Sequence, residues 1–254
     1  MKKLLVGLAL CALALLAVGI ALSFFIGSIA KKGVNTLAPR ITGTTVTLDS
    51  AQISPWNGTG TLKGLYIGNP KGWTSEKLAY LGMVHIDLVP TSLMSDTIVI
   101  EKVVIEKPEF VYETKIISSN VSELMKQVEK NLGTAPAPDP KSKNKTPDPG
   151  KKYSIKHLSL KDAKVTIGVG VNSVTVPMEN FEVNDLGTPE EGLTVNQLVF
   201  AVGKQVTAKI VVAAVGSLKT VGTTSGAAAS EGVKKIGESI KGLFGGEEKP
   251  KPQP

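Results

Sequence analysis

The residue types that perform chemistry are few in this chain and do not stand at catalytic or metal-binding spacings. Its two histidines, His85 and His157, have no Cys, Asp or Glu at metal-ligand spacing. Carboxylates such as Asp87 and Asp96 stand singly, whereas acid–base catalysis needs partners placed around the reacting group. No G-x-S-x-G, P-loop or H-E-x-x-H motif occurs. We therefore expect surface histidines, no metal, no cofactor and no enzymatic activity.

The charge of the chain does not indicate a nucleic-acid partner either. The formal net charge is +7, but the lysines are spread over the N-terminal region, a central linker and the predicted strands. Only 5% of the residues are aromatic, and no aromatic platform accompanies the lysines. We expect no nucleic acid among the partners.

An uncharged apolar segment from Leu4 to Ile29 opens the chain, with a lysine pair on each side. As a helix it would extend about 39 Å, which is more than the hydrocarbon core of a bilayer requires. Cleavable signal peptides have shorter apolar cores, so the length of this segment favours an anchor that is retained. Residues 1–32 are therefore predicted to form a retained transmembrane anchor, although a cleaved signal peptide is the alternative. Residues along it include Leu4, Leu15, Phe24 and Ile29.

The side of the membrane that carries the body is predicted from the cysteine count. Positive charges flank the apolar segment on both sides, so they do not set its orientation. No cysteine follows Cys11, which is compatible with a periplasmic body that needs no reducing compartment. We expect a single-pass protein with the bulk of the chain outside the cytoplasm.

One spacing of apolar residues recurs four times and indicates strands that slip phase once. Apolar positions three apart and then two apart remain on one face of a strand only if a bulge or bend lies in the longer gap. The second and third triplets also belong to a longer match, because the segment from Ile100 to Tyr112 aligns with the segment from Ile155 to Ile167 at an offset of 55. The four triplets are Leu62, Leu65, Ile67; Ile100, Val103, Ile105; Ile155, Leu158, Leu160; and Val195, Leu198, Phe200.

The fold class predicted from these patterns is mainly β, with a curved, repetitive and antiparallel sheet that forms a groove. A first β-rich half covers 41–132 and ends in a short helix over 120–132, with Asn120 as N-cap and Glu123 completing a capping box. A Pro/Lys-rich linker covers 133–152, and a second β-rich half covers 153–213, with its last strands at 193–201 and 204–213. An amphipathic helix at 229–244 and a disordered tail at 245–254 complete the chain; the helix docks on the body or lies on a membrane.

The segment from Gly64 to Trp73, GLYIGNPKGW, resembles the G-L-x-I-x-N-P-x-G-aromatic segment of AsmA-like proteins. The segments that follow are also similar in order: Ser92-Leu93, the strand pair that includes Ile98 to Pro108, and Asn120 with Leu124 in the short helix. This resemblance implies a β-rich periplasmic body anchored in the bacterial inner membrane and related to bridge-like lipid-transfer proteins. In those proteins an apolar groove holds acyl chains. No catalytic residue is implied.

Function is therefore expected from the apolar face of the sheet rather than from a catalytic centre. The leading hypothesis is a membrane-anchored protein of the cell envelope that assists lipid transport or outer-membrane assembly, with the lipid bilayer, phospholipid cargo and other envelope proteins as partners. The alternative is a structural or interaction module with a closed β core and no lipid cargo. The candidate lipid-facing residues are Val84, Ile86, Leu88, Val103 and Ile105.

Overall fold

A computed structural model describes residues 25–115, 118–132, 151–168 and 173–222. Three of the predicted anchor residues, the helix at 229–244, the tail and nearly all of the linker lie outside these ranges. The described elements, in chain order, are α1 (25–42), β1 (Val46–Ser54), β2 (Thr59–Gly68), β3 (Lys77–Leu88), a 3-10 helix (Pro90–Met94), β4 (Thr97–Glu106), β5 (Glu109–Tyr112), α2 (Asn120–Leu132), β6 (Lys152–Lys161), β7 (Lys164–Ile167), β8 (Val174–Pro177), β9 (Phe181–Leu186) and α3 (Val195–Gly222).

The nine strands form one open sheet that contains strands from both predicted halves. Strand β5 continues the line of β4 along β3, and β7 and β8 continue the lines of β6 and β9. The prediction of a mainly β fold is confirmed, and most neighbouring strands are antiparallel as predicted, but the sheet is mixed rather than antiparallel throughout. The pairs β4–β6 and β5–β7 are parallel. The chain leaves the sheet after Tyr112, forms α2 and re-enters the sheet as β6, which runs in the same direction as β4.

The repeat seen in the sequence corresponds to direct strand pairing. The offset of 55 residues is the register of the parallel ladder, in which Ile100 pairs with Ile155, Val103 with Leu158 and Ile105 with Leu160. The predicted phase slips are also present. The register of β3 against β4 shifts beside Glu101, and Glu101 accepts a hydrogen bond of 2.7 Å from the ammonium of Lys156. In β2, Gly64 has a φ of +66° in the gap between Leu62 and Leu65.

The fourth triplet was misinterpreted, because the residues from Val195 onwards form the helix α3 rather than two strands. The second half of the chain is therefore β-rich only as far as Leu186. The many valines favour strands locally, but no turn signal divides this segment, and packing against α2 and the strands β5 to β9 selects the helix. Gly203 permits this packing, since an added Cβ would lie 2.8 Å from Met125 Sδ on α2.

The helix α1 covers the free edge of the sheet. Asn35 accepts a hydrogen bond of 2.7 Å from the backbone N–H of Leu48 in the edge strand β1, and its amide also approaches the Leu48 carbonyl. Gly27 lies so close to Ala51 that an added Cβ would collide with its carbonyl oxygen. A helix in this position protects an edge whose unpaired backbone groups would otherwise invite another strand.

The predicted helix α2 has the predicted bounds but a different cap. Ser119, not Asn120, is the N-cap: its hydroxyl accepts from the N–H of Ser122 at 3.1 Å, and the Ser122 hydroxyl accepts from the N–H of Ser119 at 3.0 Å. Asn120 is instead fully buried and bonds to the segments before it. The apolar residues Val121, Leu124 and Val128 join the main core, as the helical stripe predicts.

Candidate functional site

The five candidate lipid-facing residues lie together on one face of the sheet. Val84 pairs with Ile105, and Ile86 pairs with Val103, across the β3–β4 ladder. Leu88 pairs with Ile100 after the register shift. Because paired residues of a ladder share a face, these rows continue into the next strands as Leu160 and Phe181, Leu158 and Val183, and Ile155 and Leu186. The result is an apolar face without a polar side chain in these rows of β3, β4, β6 and β9.

The two ends of the sheet differ in what the connections contain. We call the end formed by the β1–β2 turn (55–58), the β3–β4 connection (89–96) and the loop at 187–194 the entry end, since α1 begins on that side. The far end contains the β2–β3 loop (69–76) and the β5–α2 junction (113–119). Hydrogen bonds join two of these connections to the ends of neighbouring strands, from Leu88 N at the end of β3 to the Gly58 carbonyl and from Lys152 N at the start of β6 to the Asp96 carbonyl.

On β3, burial of the apolar face decreases toward the entry end, whereas Ile155 and Leu186, which lie in the same row as Leu88, remain buried. Val84, Val103 and Ile105 are 6%, 9% and 8% exposed, and they belong to the core that also contains residues of α2 and α3. Ile86 and Leu88, which lie nearer the entry end, are only half-buried. The candidate residues therefore divide into the packed Val84, Val103 and Ile105 and the half-buried Ile86 and Leu88, which we call the outer part.

The helix α3 covers part of this face. Its residues Ile210, Val211 and Ala214 are at most 3% exposed and lie in the core. Its other side displays apolar residues to solvent, including Val199 and Val212. Within the described part of the chain, Val195–Ala214 is the one segment long and apolar enough to cross a membrane, with a mean hydropathy of 1.3 and about a fifth of it buried. Such a property is shared by core helices of soluble proteins, and the contacts of α3 with the sheet are those of a packing helix.

A buried polar cluster formed by Asn69, Glu113 and Asn120 organises the far end. The Glu113 carboxylate accepts hydrogen bonds from the backbone N–H groups of Thr74 and Ser75 at 3.0 and 2.8 Å and from the Asn69 amide at 3.0 Å. Asn120 donates to the Asn69 side-chain oxygen at 3.0 Å and accepts from the N–H of Glu113 at 3.0 Å. We call these three residues the Glu113 cluster.

The Glu113 cluster explains the physical role of the Asn-Pro-Lys-Gly-Trp part of the sequence. Pro70 is fully buried, and Lys115 donates to the Gly72 carbonyl at 2.8 Å while its ammonium lies 4.5 Å from the centre of the Trp73 ring. The loop is thereby joined to the segment before α2, which is distant in sequence. This arrangement fixes the β2–β3 loop against the β5–α2 junction.

The charge state of Glu113 follows from its partners. Burial by itself raises the pKa of this carboxyl group, but the hydrogen bonds from Ser75, Thr74 and Asn69 outweigh it, so that the pKa lies below its usual range. Glu113 is thus a carboxylate at neutral pH although only 4% of it is exposed. Glu113 was not among the residues predicted from the sequence, because a single glutamate after a strand belongs to no motif. The sequence feature that could have indicated it is the Asn-Pro-Lys-Gly-Trp loop, since Glu113 binds Asn69 at the start of that loop.

The two histidines occupy polar positions of the sheet, each beside one polar side chain. His85 Nδ1 lies 3.3 Å from Thr61 Oγ1, and His157 Nδ1 lies 2.9 Å from Asn184 Oδ1. Over the described residues, no group of three or more His, Cys, Asp or Glu side chains is arranged to hold a metal ion.

Of the four predicted anchor residues, Ile29 is described and the others lie outside the described residues. Ile29 is on α1 and is 57% exposed, and its neighbour Phe25 is 64% exposed. The start of α1 therefore presents apolar side chains that the sheet does not cover.

Comparison with known proteins gives one match. The model of the AsmA family matches residues 1–215, which is most of the chain. Searches of curated proteins and of solved structures found no match.

Proposed function

Because the chain belongs to the AsmA family, we propose that it is an anchored protein of the bacterial cell envelope that assists lipid transport or outer-membrane assembly. In this proposal the N-terminal apolar segment crosses the inner membrane once and the sheet lies in the periplasm. Phospholipid is the cargo, and other envelope proteins are the partners. The protein acts by binding rather than by catalysis.

The observation that carries the proposal is the continuity of the apolar face as far as the entry end. The half-buried pair Ile86 and Leu88 lies on β3 between the packed Val84 and the connections of the entry end. An acyl chain that reached the sheet from the membrane would meet this outer part first. Each methylene removed from water there is worth about 0.8 kcal/mol, so a short stretch of chain already binds appreciably.

The proposal is tested by lipid mass spectrometry on purified full-length protein. Ile86→Glu places a carboxylate on the half-buried outer part, where it can hydrate, and we expect a folded protein that loses its co-purified phospholipid. Val174→Glu is the matched control, because Val174 is an exposed valine on the end strand β8. The control should retain both fold and lipid. A folded Ile86→Glu protein that still carries lipid would exclude this face as the binding site.

A second candidate function is an interaction module of the envelope with a closed β core. The close packing of Val84, Val103 and Ile105 beneath the helices favours it. This candidate predicts that the wild-type protein carries no phospholipid beyond that of an unrelated single-pass protein purified in the same detergent. The same mass spectrum therefore distinguishes the two functions.

A further inference from the structure

Three large exposed apolar side chains lie on or beside the connections of the entry end. Trp56 in the β1–β2 turn is 65% exposed, Met94 at the end of the 3-10 helix is 92% exposed, and Val195 beside the loop at 187–194 is 46% exposed. Large apolar residues are normally exposed singly, and an accumulation of them marks an interaction surface. At the far end, in contrast, Trp73 is half-buried beneath Lys115.

The direction of α1 places its N-terminal side at this same end. Asn35 bonds to Leu48 near the start of β1, whereas Gly27 lies against Ala51 near its end. The helix α1 therefore runs antiparallel to β1, and its N-terminal side points toward the β1–β2 turn that carries Trp56. The exposed Phe25 and Ile29 extend the apolar surface of the entry end along α1.

From this placement we propose that the entry end rests on the membrane, with Trp56 and Met94 inserted among the lipid head groups. The inference rests on the proposed function, in which the segment before α1 crosses that membrane. A tryptophan is suited to this position because its ring is apolar and its indole N–H can remain hydrated. Anchoring and insertion then act together, since a helix and two connections of the sheet contact the same bilayer.

Charges at the entry end indicate which part lies deepest. Lys31 and Lys32 follow Ile29 on α1 and are exposed, which suits contact with anionic head groups. The connection that carries Met94 also contains the exposed Asp96, and beside it the cation of Lys151 bonds to the Ser95 carbonyl. Glu190 and Glu191 are exposed in the loop that precedes Val195, so this loop is repelled by an anionic surface. The side with Trp56 and Met94 therefore makes the closer contact.

The two tryptophans provide a matched pair for the experiment, because they lie at opposite ends of the sheet. Full-length protein is reconstituted into phosphatidylcholine and phosphatidylglycerol vesicles, with or without phospholipid brominated on the acyl chain next to the head group. Trp73→Phe leaves Trp56 as the single tryptophan, and Trp56→Phe leaves Trp73 as the single tryptophan. Met94→Trp in a protein with both native tryptophans replaced by Phe reports on the second connection. Flotation of each vesicle sample measures membrane anchoring separately.

We expect brominated lipid to quench Trp56 and the tryptophan introduced at position 94, and to leave Trp73 unquenched. Protein that floats with the vesicles but shows equal quenching of Trp56 and Trp73, or none, would overturn the inference and leave the proposed anchoring intact. Failure of the wild-type protein to float would overturn both.

Discussion

Lys107 and Asp162 occupy equivalent positions of two neighbouring parallel strand lines, and both have a left-handed backbone, with φ values of 49° and 54°. The two strand lines remain hydrogen-bonded to each other on both sides of these residues. Lys107 N donates to the Lys161 carbonyl and Lys164 N donates to the Pro108 carbonyl, both at 2.9 Å. A second phase slip, between β4 and β5 and between β6 and β7, is therefore repeated on adjacent strands. It keeps Ile105 and Phe110 of the first line in the same core although they stand five positions apart, where a regular strand would turn them to opposite faces.

The left-handed backbone at Lys107 gives the first prediction. Lys107→Val should destabilise the protein by about 1–2 kcal/mol, because a β-branched residue is strongly disfavoured at positive φ. Lys107→Gly should change the free energy of unfolding by less than about 1 kcal/mol, since relief of strain and the greater freedom of the unfolded chain oppose each other. Denaturant unfolding in detergent measures both. Equal stability of the valine and glycine variants would contradict the strain argument.

The bulge in β2 gives the second prediction. Gly64→Ala should cost more than about 2 kcal/mol, because the φ of +66° is unfavourable for alanine and the new Cβ would collide with the Asp49 carboxylate. Gly33→Ala is the control, as Gly33 lies in α1 with nothing within 4 Å of an added Cβ. That change should stabilise the helix by about 0.5–1 kcal/mol.

A double variant separates the two causes at Gly64. Asp49→Ala combined with Gly64→Ala removes the collision with the carboxylate but leaves the Cβ of residue 49 at 2.9 Å and the positive φ, so we expect partial recovery of the free energy of unfolding. Full recovery would show that the collision with the carboxylate alone was responsible, and no recovery would assign the whole cost to the backbone and the remaining Cβ contact.

Much of the sheet could be predicted from the sequence, because paired strands repeat the same spacing of apolar residues. The offset of 55 residues between the segments beginning at Ile100 and Ile155 was visible as a pattern and proved to be the ladder register. Its direction was not visible, because apolar spacing is the same for parallel and antiparallel partners. The direction is set by the excursion through α2, and short-range patterns do not encode such a connection.

The parts that were missed depend on packing between distant segments. Val195, Leu198 and Phe200 match the strand triplet, yet the contacts of α3 with α2 and the sheet make them helical. Asn120 satisfies the sequence rules for an N-cap, but burial beside Glu113 gives it another role and transfers the cap to Ser119. Of the candidate site, its five residues were brought together as expected on one face, whereas their unequal burial follows from the helices above them.

The continuous sheet gives a third prediction, which concerns the linker. Its prolines and lysines leave it unable to build a core, so limited proteolysis should first cut between Pro138 and Lys152. The two fragments should then stay together in size-exclusion chromatography in detergent, because β4 and β6 share nine residue pairs across the cut. Fragments that separate without denaturant would contradict a single sheet.

The Glu113 cluster gives the fourth prediction. Glu113→Gln should destabilise the protein by about 2–4 kcal/mol at pH 7, because the amide loses charge-assisted hydrogen bonds and presents an N–H group to the donors of Thr74 and Ser75. Glu109→Gln is the control, since Glu109 forms an ion pair of 2.8 Å with Lys77 and its side chain is 54% exposed. The control should lose less than about 1 kcal/mol.

The pH dependence of this difference follows from the lowered pKa of Glu113. The unfolded chain binds the proton more readily than the folded protein, so the stability that the carboxylate contributes is fully present above the ordinary pKa of 4.5 and is lost as the pH falls through the lower folded value. The gap in unfolding free energy between wild type and Glu113→Gln should therefore be constant near neutral pH and shrink below about pH 4.5. Denaturant titrations at stepped pH measure it. A gap that widened on acidification would require a raised pKa, and would contradict a carboxylate held by the N–H groups of Thr74 and Ser75.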